Sequence, residues 1–162
     1  MNQRQKQVQI LIEKALFYLR FRARSEQEMR QYLQKKSQTY RFDEENIKDT
    51  IDHLIKHKYI DDNKFAQAYV RSRTYINPKG NYAIIQELLQ KGIKKKIIDL
   101  ALQTSEIDEY SRALSVLKKK NNSLAPLPAH QKKARALAHL QRRGFSYDTA
   151  IQAYKQYFNT TF

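Results

Sequence analysis

Three stretches decide how this chain reads. Residues 18–22 are YLRFR, residues 69–73 are YVRSR and residues 116–120 are VLKKK. A second signature follows each of them: LQKKS from Leu33, LLQKG from Leu88 and LQRRG from Leu140. Tyr18 aligns with Tyr69 in the first helix of each unit; beyond a connection four residues longer in the second copy, Ser25 aligns with Gly80 and Ser37 with Gly92, and the two pairs are each separated by 12 residues. A pattern that returns at about fifty residues is the mark of a repeat architecture, in which one supersecondary unit is stacked on copies of itself.

Working outward, the segments between these signatures carry helical periodicity. From Val8 to Phe21 the apolar residues Leu11, Ile12, Ala15, Leu16 and Leu19 fall on one helix face. Ser25 with Glu28 makes a capping box and predicts a second helix carrying Met29, Tyr32 and Leu33 inward. Asp43 is placed to cap a third helix, with Phe42 and Ile47 as its hydrophobic staple, ending near Tyr59. The second copy repeats the scheme. Asp61 caps, Ile60 and Phe65 form the staple, NPKGN at 77–81 is a loop, and Gly92 ends the second helix in the left-handed region. In the third copy the helix from Asp108 to Lys120 is followed by SLAPLPAH, then by two helices split at Gly144, with Ser146 as the last cap.

The expected fold is therefore all-α. It comprises three tandem three-helix repeats over residues 1–58, 59–105 and 106–162, with a proline-containing loop at 121–130. Such right-handed helices would form an elongated, curved array with a long face rather than one deep pocket. The signature LQKKS, LLQKG or LQRRG is expected to end the second helix in all three repeats.

Composition agrees. Only 3 Gly and 3 Pro occur in 162 residues, while Leu, Ile, Ala, Gln, Lys and Arg are abundant. There are 31 Lys and Arg against 16 Asp and Glu, a net charge of +15. That charge attracts polyanions, with nucleic acid the first candidate. The chain has no cysteine, which excludes disulfides, thiolate metal sites and a cysteine nucleophile. No signal peptide or membrane span is read, and a cytoplasmic protein without membrane contact is expected.

The stretches ALFYLRFRARSEQEMRQYLQKK (15–36), YIDDNKFAQAYVRSR (59–73), IIQELLQKGI (84–93) and RRGFSYDTAI (142–151) resemble the RecX family of recombination regulators, over nearly the whole chain from Leu11 to Tyr157. The run Tyr59-Ile60-Asp61-Asp62, then Phe65-Ala66, then Tyr69-Val70-Arg71, is the most specific part. The resemblance implies three three-helix repeats and binding to the RecA–DNA filament in its groove or at its end. It implies modulation, chiefly inhibition, of ATPase, strand-exchange and coprotease activity. A monomer is expected, with weak, salt-dependent binding to single- and double-stranded DNA. On this resemblance the contact surface is assigned to Arg20, Arg22, Arg24, Arg71 and Arg73, then Lys94, Lys95, Lys96, Arg142 and Arg143. Against it stands the plainer reading that any one of these is a solvated helix face.

Enzymatic readings find little support. Asp61 and Asp62 could suggest a Mg²⁺ pair, but no partner carboxylates accompany them, and capping accounts for Asp61. His53 and His57 are spaced for zinc on a helix, but the context is HLIKH. Tyr18, Tyr32, Tyr69 and Tyr154 sit at core spacing, which favours packing over base stacking. No catalytic residue, metal or cofactor is expected. The alternative is a stand-alone helical DNA-binding module resembling a helix-turn-helix regulator, with its turn near Gly92 or Gly144.

Overall fold

In the computed structural model, residues 2–159 are described, and helices are the only regular structure among them. They form three consecutive sets of three: α1 (Gln3–Leu19), α2 (Glu26–Tyr40) and α3 (Glu44–Lys56); α4 (Asp62–Tyr75), α5 (Asn81–Gln90) and α6 (Lys95–Gln103); α7 (Glu109–Leu124), α8 (Ala129–Arg142) and α9 (Tyr147–Asn159). Residues 1 and 160–162, the outer ends of the first and third expected repeats, lie outside the described residues.

The caps predicted at Ser25, Asp61 and Ser146 form; Asp43 stands at the N-cap of α3, where its N–H donates to Asn46 Oδ1 at 3.2 Å. Ser25 Oγ accepts the Glu28 N–H at 3.2 Å, and Glu28 Oε2 accepts the Ser25 N–H at 3.2 Å. Asp61 Oδ1 accepts the N–H groups of Asn63 and Lys64, at 2.9 and 3.1 Å. Ser146 Oγ accepts the Thr149 N–H at 3.1 Å. Each satisfies donors that a helix start leaves unpaired.

Three boundaries differ from expectation. Helix α1 begins at Gln3 rather than Val8, because Asn2 and Gln5 make a reciprocal cap at 2.9 and 2.8 Å; Phe21 lies beyond its end. The LQKKS signature does not end α2. Ser37 stays helical and buried, and its hydroxyl donates to the Phe42 carbonyl at 2.5 Å. The helix instead runs to Tyr40, and Arg41 takes the left-handed conformation, φ 55°, that Gly92 and Gly144 supply after α5 and α8. Finally, the interruption expected over 121–130 is confined to 125–128, since α7 continues through Leu124 and Pro128 sits at the N-cap of α8. Proline is tolerated there because the helix start does not need its N–H.

The chain packs as two compact units, one of residues 1–66 and 89–97, the other of residues 67–88 and 98–162. In the first, Leu11, Ala15, Met29, Leu33, Ile47, Ile51, Leu54 and Ile60 form the core, with Tyr18, Tyr32 and Phe42 packed on it. In the second, Ala113, Val116, Leu117, Leu137, Leu140, Phe145, Ala150 and Ala153 do so, with Tyr154 against them.

Each unit contains one copy of the same joint. In the first, Ser25 Oγ at the start of α2 donates to the Lys91 carbonyl at the end of α5, at 2.7 Å, and Lys91 Nζ reaches Glu28 at 2.9 Å. In the second, the Gly80 N–H at the start of α5 donates to the Arg143 carbonyl at the end of α8, at 2.9 Å. Arg143 then reaches back to the Pro78 carbonyl and to Asn77. Helix starts are electropositive and helix ends electronegative, so both joints align favourable dipoles. The second joint also requires two glycines: a Cβ on Gly80 would stand 2.0 Å from the Gly144 carbonyl oxygen.

Candidate nucleic-acid interface

The ten basic residues expected to form a contact surface divide into two groups. Arg20, Arg71, Lys94, Lys95, Lys96 and Arg142 are exposed. Of these, Arg20, Arg71, Lys94, Lys96 and Arg142 make no ion pair among the described residues. Arg20 lies beside Phe17, 5.8 Å from its ring centroid, and Phe17 meets Phe21 edge-on at 5.5 Å. Both rings are open to solvent, 53% and 71% exposed, which sets two aromatic faces beside a cation. Lys94, Lys95 and Lys96 crowd the start of α6, where no acidic residue sits in the first turn. Positive charge at a helix start opposes the helix dipole. The lysines therefore do not help that helix to form.

The second group is turned inward, and these residues do not point freely to solvent as their spacing suggested. Arg73 Nε donates to Glu87 at 2.9 Å and Arg73 Nη2 to the Tyr69 hydroxyl at 2.9 Å. Lys79 also binds Glu87, and the Tyr69 hydroxyl donates to it at 2.7 Å. Arg24 stacks on Tyr18, 3.9 Å from the ring centroid, with Tyr18 stacked in turn on Tyr32 at 4.0 Å. Arg24 Nε is buried without a hydrogen bond, so the ring face supplies its counter-charge. Arg143 belongs to the joint. Arg22 is intermediate: it grips Glu28 with two nitrogens, at 2.9 and 3.1 Å, yet stays about half exposed.

Two carboxylates organise this inner set. Burial would raise the Glu87 carboxyl, but donation from Lys79, Tyr69 and Arg73 prevails and holds its pKa at about 2. Glu28 follows the same pattern: burial opposes ionisation, Arg22 and Lys91 outweigh it, and the pKa is again about 2. Glu28 was read only as the capping partner of Ser25, and Glu87 was not singled out in the sequence. The signal was available in the repeat register, which sets Tyr32, Glu87 and His139 at one position, immediately before Leu33, Leu88 and Leu140.

The acidic pair is structural at both members. Beyond the Asp61 cap, Asp62 Oδ1 accepts the Glu26 N–H at 2.9 Å and so secures the start of α2, a role the spacing did not reveal. Burial raises the Asp62 pKa, partly offset by that N–H. His53 and His57 stack at 4.1 Å, and His57 Nδ1 contacts the His53 carbonyl at 2.9 Å. No cluster of three or more metal-ligating side chains occurs among the described residues. No helix there is long and apolar enough to cross a membrane.

Fold and surface together define a basic, all-helical protein of three three-helix repeats. Family models match each repeat in order: the first three-helix domain of RecX over residues 12–54, the second over 61–102 and the third over 106–154. Among curated proteins, the chain is 33% identical over 144 residues to a regulatory protein RecX of Streptococcus pneumoniae, covering 88% of this chain and 53% of that protein. It is 36% identical over 131 residues to one from Oceanobacillus iheyensis, covering 80% and 47%. The chain thus spans about half the length of the curated relatives it matches. Among solved structures, RecX from Lactobacillus salivarius superposes with a TM-score of 0.80 at 24% identity, over 94% of this chain and 97% of that one. A second regulatory protein RecX gives 0.75 at 25% identity, over 94% and 73%. The chain belongs to the RecX family.

Proposed function

We propose that this chain regulates the RecA recombinase by binding the RecA–DNA filament, along its groove or at its end, as a monomer. It lowers ATPase, strand-exchange and coprotease activity by occupying sites that the filament's substrates need. Residues 1–58, 59–105 and 106–162 act as its three repeats, and it works in the cytoplasm. The observation that carries this reading is the ordered match of all three RecX domain models, one to each helix triplet. The net charge of +15 and the exposed cations Arg20, Arg71, Lys94, Lys96 and Arg142 support it, since a filament is acidic and periodic.

The test is the DNA-dependent ATPase of the cognate RecA on single-stranded DNA, with this protein titrated up to equal stoichiometry. A fall well below equal stoichiometry supports end binding, and a fall only near equality supports groove occupancy. The triple substitution Arg71→Glu, Lys94→Glu and Lys96→Glu should abolish the effect while leaving helicity intact. Arg73 is left intact, because its loss would disturb the Glu87 cluster. An unchanged ATPase rate, in a sample that shifts bare duplex DNA, would favour the stand-alone DNA-binding module. The tight turns at Gly92 and Gly144, φ 77° and 82°, are the feature such a module would use.

A further inference from the structure

The second and third repeats differ where their first and second helices meet. In the second repeat the cations Arg73 and Lys79 converge on Glu87. In the third repeat the same register places Val116, Lys120 and His139 where Tyr69, Arg73 and Glu87 stand. The carboxylate is gone, and the cation in the place of Arg73 remains as Lys120. Lys119 and Lys120 of α7 and His139 and Arg143 of α8 surround a cavity of about 190 Å³, with Val116 and Pro78 among its walls and no carboxylate in its lining. Arg143 is already fixed in place by Asn77 and the Pro78 carbonyl, and the two lysines are exposed. Three cations in one hollow repel one another unless an anion joins them. The cavity is smaller than the roughly 300 Å³ typical for a drug-sized ligand, and no Phe, Tyr or Trp ring lines it to receive a base.

We propose that this cavity binds a backbone phosphate of nucleic acid, the phosphate taking the place that Glu87 fills in the second repeat. Binding is linked to protonation of His139. In the free protein, burial first, then Arg143, Lys120 and Arg142, lower the affinity of this imidazole for a proton. Those cations and Lys119 are the charged groups around it, two on α7, Arg142 at the end of its own helix and Arg143 just past it; α9, packed against α8, adds no titratable group to the lining. An arriving phosphate reverses the balance, so the protein takes up a proton as it binds, and affinity rises as pH falls. The inference deepens the filament reading by assigning a DNA contact, but it does not need RecA.

The experiment is fluorescence anisotropy of a short labelled single-stranded oligonucleotide with the full chain, at fixed ionic strength. Wild-type protein should bind at least about threefold more tightly near pH 6 than near pH 8, within the roughly tenfold per pH unit that one linked proton allows. Lys120→Ala should reduce the log–log salt slope by about 0.7, one single-strand phosphate contact. His139→Glu restores the carboxylate of the second repeat. It should leave the melting temperature at or above wild type, weaken DNA binding at least about tenfold and remove the pH dependence. Opposite signs on stability and binding separate this result from misfolding. The proposal is overturned if His139→Glu binds DNA as wild type does, or if Lys48→Ala, an exposed lysine on α3, alters the salt slope as much as Lys120→Ala. If wild-type protein shows the pH and His139 dependence on bare DNA while RecA turnover is untouched, the site stands and only the filament reading falls.

Discussion

The Glu87 cluster gives the sharpest stability prediction. Its carboxylate receives hydrogen bonds from Tyr69, Arg73 and Lys79, and its pKa sits at about 2 against an ordinary 4.5. A depression of that size corresponds to about 3 kcal/mol of stabilisation at roughly 1.4 kcal/mol per pKa unit. The side chain is 24% exposed, so screening by water reduces the net figure to about 2 kcal/mol. Because the folded pKa lies below the unfolded one, this stability is fully present above pH 4.5 and is lost as pH falls toward 2. Glu87→Gln keeps the shape and removes the charge. Urea denaturation followed by circular dichroism should show the variant about 2 kcal/mol less stable at neutral pH. The gap should close as the solution is taken through the acid range, because wild-type Glu87 is then itself protonated. A gap that stays constant with pH would mean that the loss comes from packing and that the cluster's charge is irrelevant.

Three further substitutions test the joints. Gly144→Ala combines a strained φ of 82° with a Cβ only 2.3 Å from Ala83 Cβ, so it should cost about 2 kcal/mol or more, seen as a lower melting temperature. Ser25→Ala removes both the α2 cap and the bond to the Lys91 carbonyl and should cost about 1–2 kcal/mol in urea denaturation, whereas Ser25→Asp, which keeps a cap acceptor but no donor, should recover only part of that loss.

Much of the fold was legible because it is written in short-range chemistry. The capping residues Ser25, Asp61 and Ser146, and the left-handed glycines at 92 and 144, act within a few residues of where they stand in the chain. The errors arose where a partner outside the local motif decided the outcome. Ser37 was read as a helix end by analogy with Gly92, but serine gains nothing from the left-handed region, and its hydroxyl finds the Phe42 carbonyl instead. The basic surface was legible as a total and not as a map. Arg73 and Arg71 are two residues apart in one motif, yet only Arg73 meets Glu87, fourteen residues away on another helix. Arg142 and Arg143 are adjacent, yet only Arg143 enters the joint. Charge counting cannot see such partners, because they are set by which helix packs beside which.

The repeat register explains why three copies of one basic motif are not three copies of one surface. With 16 acidic residues against 31 basic ones, the placement of the few carboxylates decides which cations are held inside the protein and which remain for a polyanion. The position before the second signature's leucine carries that decision. Tyrosine at 32 stacks on Tyr18, which in turn carries Arg24 on its ring, so a cation is held there by aromatic faces without an ion pair. Glutamate at 87 holds Arg73 and Lys79 by charge. Histidine at 139 does neither for Lys120 and Arg143, and it sits with them around a cavity without a carboxylate in its lining. Buried or crowded positive charge without a counter-ion is costly to keep. On the proposal above, an external phosphate supplies in the third repeat the counter-charge that Glu87 supplies in the second.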